Sequence, residues 1–184
     1  MDKPTLVGDK VILRPISADK DADAMFAALS DEESMRLTGT QAEFTFEQVE
    51  AFCRRIETAE DRYDFAITEK NDGDSKYVGE VVLNDIDEDN RSASFRIALG
   101  NVQHFGKGLG TEATRLIVDF GFKQLNLHRI ELEVFDFNPR AQHVYEKVGF
   151  KKEGVKRDVL LWEGKYQSAI VMSILEDEWS ANAK

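Results

Sequence analysis

Apolar residues recur along this chain with two different periods, and the switches between them outline its elements. The opening stretch Thr5-Leu-Val-Gly-Asp-Lys-Val-Ile-Leu-Arg-Pro15 predicts a strand or hairpin. From Ser17 the period lengthens, and Ala22, Met25, Phe26 and Leu29 mark a helix. Thr45-Phe-Glu-Gln48 has the spacing of a capping box, and Val49, Phe52, Cys53 and Ile56 follow at i, i+3, i+4 and i+7. Cys53 therefore shares a face with core residues and reads as a small buried hydrophobe rather than a nucleophile. Three strand-like runs come next, Tyr63 to Thr68, Tyr77 to Leu83 and Ala93 to Leu99. Turn clusters at Asn71–Asp74 and Asp87–Asn90 separate them, as in an antiparallel meander.

Beyond a glycine-rich loop, Ala113, Leu116, Ile117 and Phe120 lie on one face of a helix predicted over Thr111 to Phe122. His128 to Val134 then alternates Ile130, Leu132 and Val134 with Glu131 and Glu133. Strand, loop, helix and strand make a βαβ unit, whose two strands run parallel. Asn138-Pro139 opens a further helix, with Asn as N-cap and Pro at its first position, and Gly149 ends it. Two last strands, Asp158 to Trp162 and Gln167 to Leu175, are joined around Glu163-Gly-Lys165. The pattern is mixed α/β, antiparallel early and parallel in the middle, with no internal repeat or linker. At 184 residues, the expectation is one domain over 1–184.

Composition narrows the setting. Hydrophobic content of 42% and charged content of 32% suit an ordinary globular protein. No stretch approaches the ~20 apolar residues of a membrane helix, and the first ten residues lack the apolar core of a secretory signal. A cytoplasmic setting is expected, in keeping with a single cysteine that has no intrachain partner. The net charge of -11 is spread through clusters such as Asp85–Asp89 and Glu176–Glu178. With no basic stripe, neither nucleic acid nor a membrane is an expected partner; the negative charge suits solubility and would also draw in cationic ligands.

Gln103-His-Phe-Gly-Lys-Gly-Leu-Gly-Thr111 holds the candidate chemistry. Gly106, Gly108 and Gly110 let backbone N–H groups approach a ligand closely, just where the following helix presents its positive end. Lys107 adds local positive charge. A Walker loop is excluded because Gly108 rather than Ser or Thr follows Lys107, and a dinucleotide fingerprint because Thr111 stands where its third glycine belongs. The residues alone leave two readings open, a phosphate cradle and a plain helix-capping turn.

The sequence resembles the GCN5-related N-acetyltransferase (GNAT) family. Gln103-x-x-Gly106-x-Gly108 is similar to its acetyl-CoA pyrophosphate motif. Asn138-Pro-Arg-Ala-Gln-His-Val-Tyr145-Glu-Lys-Val-Gly149-Phe150 is similar to its later motif. Val11–Pro15 and Ser173–Trp179 resemble the branch containing ribosomal-protein N-terminal acetyltransferases and spermidine acetyltransferases. That branch usually carries an acidic residue shortly after the tyrosine of the last hairpin, where Tyr166-Gln167-Ser168 stands here.

The resemblance implies a mixed central sheet of about six to seven strands with flanking helices and a splayed parallel pair. It implies acetyl transfer from acetyl-CoA, without metal, to a primary amine of a protein N-terminus or polyamine. Ile97, Ala98 and Leu99 would bind the cofactor through their backbones, and His104, Phe105, Leu109 and Thr111 would join Gln103, Lys107 and the glycines around its phosphates. Asn138 would serve both as N-cap and beside the cofactor, with Arg140 and Lys147 as further phosphate partners. Tyr145 matches the family's general acid. Glu133, twelve residues earlier, and Glu80, in Tyr77-Val-Gly-Glu80, are rival bases. His104, His128 and His143 have no metal-ligand spacing. A non-catalytic acyl-CoA sensor of the same fold, or a domain whose loop holds nothing, are the alternatives; a monomer and a homodimer both remain open.

Overall fold

The computed structural model describes residues 3–72 and 76–182. The Gly73-Asp74 part of the expected turn lies outside them. The opening segment is a hairpin: β1 (Leu6–Val7) pairs antiparallel with β2 (Val11–Pro15), Leu6 opposite Leu13. Ser17 precedes α1 (Ala18–Ala28), as the pattern predicts. A short helix that the pattern does not announce follows, α2 (Glu32–Thr38). Its signals are in its ends: the Asp31 carboxylate accepts from the Ser34 N–H, and Gly39 closes it at φ 66°. At seven residues it is too short for apolar periodicity to register. The capping box forms at the start of α3 (Phe46–Thr58), where Thr45 and Gln48 bond each other's backbone.

The meander is β3 (Tyr63–Glu69), β4 (Tyr77–Asp87) and β5 (Ser92–Leu99), with Phe65 opposite Val81 and Val81 opposite Ile97. After the glycine loop comes α4 (Leu109–Lys123), which begins two residues before the predicted Thr111 because Gly108 is its N-cap. Then follow β6 (Arg129–Phe135), α5 (Pro139–Val148), β7 (Lys151–Trp162) and β8 (Lys165–Leu175). Positive φ at Glu163 and Gly164 makes the tight turn between the last two strands. A helix α6 (Glu176–Asn182) closes the described chain.

One mixed sheet of eight strands results, in the order β1-β2-β3-β4-β5-β6-β8-β7. The expected six to seven rises to eight because the first segment is two strands, one of only two residues. Helices α4 and α5 cover one face. There Phe65, Ile67, Leu83, Ile117 and Ile130 are fully enclosed, and Phe65 meets Phe120 edge to face at 5.7 Å. Helices α1 and α3 cover the other, with Met25, Val49, Cys53, Ile56 and Ala66 packed together. Burial pushes the Cys53 thiol up to about 11, which keeps it protonated and inert. Asp21, wholly buried, accepts two bonds from Arg14 at 2.7 and 2.8 Å and one from the Ser17 N–H at 2.8 Å. This pairing fixes α1 to β2.

The parallel pair decides where a ligand can enter. Only Ser92, Ala93 and Ser94 pair with Arg129, Ile130 and Glu131. Beyond them β5 continues along β4 to Leu99, while β6 continues along β8 to Phe135. The strands part, and the β6-facing backbone groups of Phe95 to Leu99 are left without a strand partner.

Candidate active site

Where β5 and β6 separate, a cleft of about 470 Å³ opens through the sheet. Its walls combine the end of β5, the start of α4, β6, α5 and the inner side of α2. Ile97, Ala98 and Leu99 form one wall with Glu80 beside them on β4. His104, Phe105, Gly106, Gly108, Leu109, Gly110 and Thr111 form the mouth. Glu133, Asn138, Arg140, Tyr145 and Lys147 complete the opposite side. Two of the residues singled out from sequence are not in these walls: Gln103 is exposed, and Lys107 points its amine toward Glu69 at 3.8 Å.

The mouth is built for negative charge. Gly106 and Gly108 have φ of +74° and +80°, a backbone state that glycine adopts without cost. Among the described residues, the N–H groups of Gly106 to Thr111 have no hydrogen-bond acceptor, and the first intrahelical bond runs from the Glu112 N–H to the Gly108 carbonyl. These unpaired donors sit at the positive end of a fifteen-residue helix. The Arg140 guanidinium stacks over Phe105 at 4.4 Å and reaches within 3.8 Å of where a Cβ on Gly106 would lie. Lys10 is a cation that sequence reasoning missed: its Nζ donates to the Lys107 carbonyl at 3.4 Å. No local signal could reveal it. Lys10 is brought there because the Glu112 carboxylate accepts the backbone N–H groups of Asp9, Lys10 and Val11 at 3.1, 2.8 and 2.7 Å. On the far side, Glu69 lies 3.6 Å from the buried His104 Nδ1, which has no hydrogen-bond partner among the described residues.

Deeper in the cleft the titratable groups differ in kind. The buried Glu80 Oε2 has no hydrogen-bond partner among the described residues. Burial pushes its carboxyl above the usual range, opposed by Arg96. Glu133 is instead exposed and accepts from the Lys156 ammonium. Tyr145 packs against Phe95 and Phe150 at 5.8 and 6.0 Å, and burial alone raises its hydroxyl well above the ordinary value of 10.0. No hydrogen bond ties that hydroxyl to a described residue. Asn138 accepts from the Ala141 N–H at 3.2 Å, so it is an N-cap while also lining the cleft. Sequence reasoning also missed Ser34, Leu37 and Thr38 of α2 and Arg96 of β5, all in the walls. The Asp31 cap and Gly39 could have revealed α2, but not which way it faces.

The model of the family described as acetyltransferase (GNAT) domain matches residues 10–151. The chain belongs to the GNAT family. Its fold agrees: spermidine N-acetyltransferase from Vibrio cholerae, solved in complex with CoA and spermine, superposes with a TM-score of 0.85. That match has 26% identity and covers 94% of this GNAT chain and 99% of that one. The spermidine N(1)-acetyltransferase of Escherichia coli K12 is 37% identical over 111 residues, 60% of this chain and 59% of that enzyme. A probable N-acetyltransferase of Bacillus subtilis, YjcK, is 34% identical over 131 residues, 71% of each chain. Among the described residues of this GNAT chain, no group of three His, Cys, Asp or Glu side chains could hold a metal ion. No described helix is long and apolar enough to cross a membrane.

Proposed function

We propose that this chain is an acetyl-CoA-dependent N-acetyltransferase. It moves the acetyl group to the primary amine of a peptide N-terminus or a polyamine by direct attack in a ternary complex. The observation that carries the reading is the row of unpartnered N–H groups from Gly106 to Thr111, set at the mouth of a cleft that leads to Glu80 and Tyr145. When bound, acetyl-CoA supplies a diphosphate and an activated thioester. The diphosphate suits the loop, α4 and the cations Lys10 and Arg140. The unpaired backbone edge of Ile97 to Leu99 suits the amides of the pantetheine arm, and a free N–H there would polarise the thioester carbonyl.

At the reacting end each group has a separate task. An ammonium must lose a proton before nitrogen can form the new bond to carbon, and Glu80 is the base that accepts it. Its raised affinity for protons brings it closer to working pH than an ordinary carboxylate. Tyr145 stays protonated at every working pH and gives its proton to sulfur as the carbon–sulfur bond breaks. Glu133, held by Lys156, is the weaker candidate base. The relatives support the amine class, and the single Cys53 suits a cytoplasmic setting.

The test is thiol release from acetyl-CoA on mixing with a panel of N-terminal peptides and polyamines. Release dependent on acceptor is expected. Stabilisation by acetyl-CoA without release for any acceptor would make the chain a sensor instead, and neither result would leave the loop without a ligand.

A further inference from the structure

The charge around the acceptor end of the cleft does not follow the net charge of the chain. Glu80 lies opposite Ala98, and Val82 opposite Arg96. Two residues apart on paired strands, Glu80 and Arg96 project from the same face of the sheet, as diagonal neighbours some ~7–8 Å apart. Both line the cleft. The other acids of this neighbourhood are already taken. Asp64, opposite Val82, is gripped by Arg62 through two bonds of 2.7 Å. Glu133 is paired with Lys156, and Glu33 on α2 with Arg36 at 2.8 Å. Arg96 is different: it is exposed into the cleft and makes no hydrogen bond or ion pair to any described residue.

A polyamine carries several ammonium groups and calls for several open carboxylates. This wall offers it Glu80 alone, beside a guanidinium that repels it. We infer that Arg96 selects the acceptor, and that the acceptor is an amine bearing a carboxylate close by, as in an amino acid or a peptide N-terminus followed by an acidic residue. The amine sits at Glu80 while the carboxylate takes the planar fork of Arg96, which matches it with two parallel bonds. Arg96 then sets specificity through acceptor binding and takes no part in bond making. The inference rests on the acetyl-transfer reading above.

Thiol-release kinetics with a defined panel test it: free amino acids, short peptides beginning Ala-Asp or Ala-Lys, a neutral peptide, and spermidine. They are run with the natural chain and with Arg96→Lys, Arg96→Ala and Arg96→Glu. The natural chain is expected to favour carboxylate-bearing acceptors at least tenfold, and the amino-acid and peptide arms show which source of the carboxylate fits. Arg96→Ala raises the KM for acidic acceptors about tenfold to a hundredfold, the range for a charge-assisted contact. The KM for acetyl-CoA stays unchanged, while the acid limb of the pH–rate profile moves to higher pH for every acceptor, because Arg96 no longer opposes the upward shift of Glu80. Arg96→Glu turns the preference toward Ala-Lys and spermidine, and Arg96→Lys restores part of the original one. Higher kcat/KM for spermidine than for every acidic acceptor, or an unchanged preference in Arg96→Glu, overturns the inference while acetyl transfer stands. No turnover with any acceptor overturns the transfer reading and the inference with it.

Discussion

Glu80→Gln changes stability and activity in opposite directions, which makes it the sharpest test of the base assignment. The natural carboxyl is held with a buried oxygen that has no hydrogen-bond partner, and burial raises its affinity for protons above that of an ordinary glutamate at 4.5. In the folded chain it therefore keeps a proton that the unfolded chain has already released. Stability falls as pH rises from 4.5 through the raised folded value, and the loss is complete above it. Glutamine preserves the shape and never carries the charge. Burying a charged carboxylate without a partner costs more than burying a neutral amide of the same shape, and the excess that glutamine removes is on the order of 1–3 kcal/mol. In a chain of this size each kcal/mol moves Tm by about 2–4 °C. Glu80→Gln is expected to unfold about 2–12 °C higher at pH 8, with no difference near pH 4. Its turnover falls by about 10²–10⁴-fold, the usual contribution of a positioned base, and the acid limb of the pH–rate profile disappears. Circular dichroism melts from pH 4 to 9 and thiol-release rates in the same buffers read both effects. Turnover within threefold of the natural chain, with the acid limb intact, would remove Glu80 as base and leave Glu133. A lower Tm at pH 8 would refute the claim that its carboxylate is buried at a cost.

Three further substitutions separate the parts of the site. Gly108→Val forces a β-branched residue to φ +80° and places its Cβ 3.1 Å from the Lys10 Nζ. Strain of about 1–3 kcal/mol lowers Tm, and acetyl-CoA affinity by calorimetry falls at least tenfold; unchanged affinity counts against the loop as a phosphate site. Tyr145→Phe removes a hydroxyl with no protein partner, so Tm moves by no more than about 2 °C, while kcat falls by about 10²-fold or more at constant KM for acetyl-CoA. An equal kcat would end its role as acid. Asp21→Ala removes the buried carboxylate that accepts from Arg14 and from the Ser17 N–H, and breaking such a pair costs about 3–5 kcal/mol, read as a lower denaturant midpoint at unchanged slope.

Much of the fold was legible because its signals are local. The capping box at Thr45, the Asn138-Pro139 start of α5 and the alternation of β6 each depend on residues within a few positions of one another. The glycine loop and Tyr145 were legible as candidates for the same reason. What escaped depends on pairings across the chain. Lys10 reaches the loop only because Glu112, about a hundred positions away, seats the first hairpin on α4. Glu133 looked as good a base as Glu80 until the register of β7 against β8 set Lys156 beside it. Arg96 carries no local signal, because its place beside Glu80 in the cleft depends on the register of β4 against β5. The helix α2 was hidden by its shortness, yet Ser34, Leu37 and Thr38 on it form part of the cleft wall.

We place the diphosphate of acetyl-CoA at the loop from Gly106 to Thr111, with the chemistry at the other end of that ligand. Calorimetric titration with acetyl-CoA and with S-acetylpantetheine, which has the same thioester and arm but no diphosphate, tests it directly. One acetyl-CoA bound per chain is expected, with affinity for the truncated thioester at least a hundredfold weaker. Equal affinity for the two, or no binding of acetyl-CoA, would contradict it.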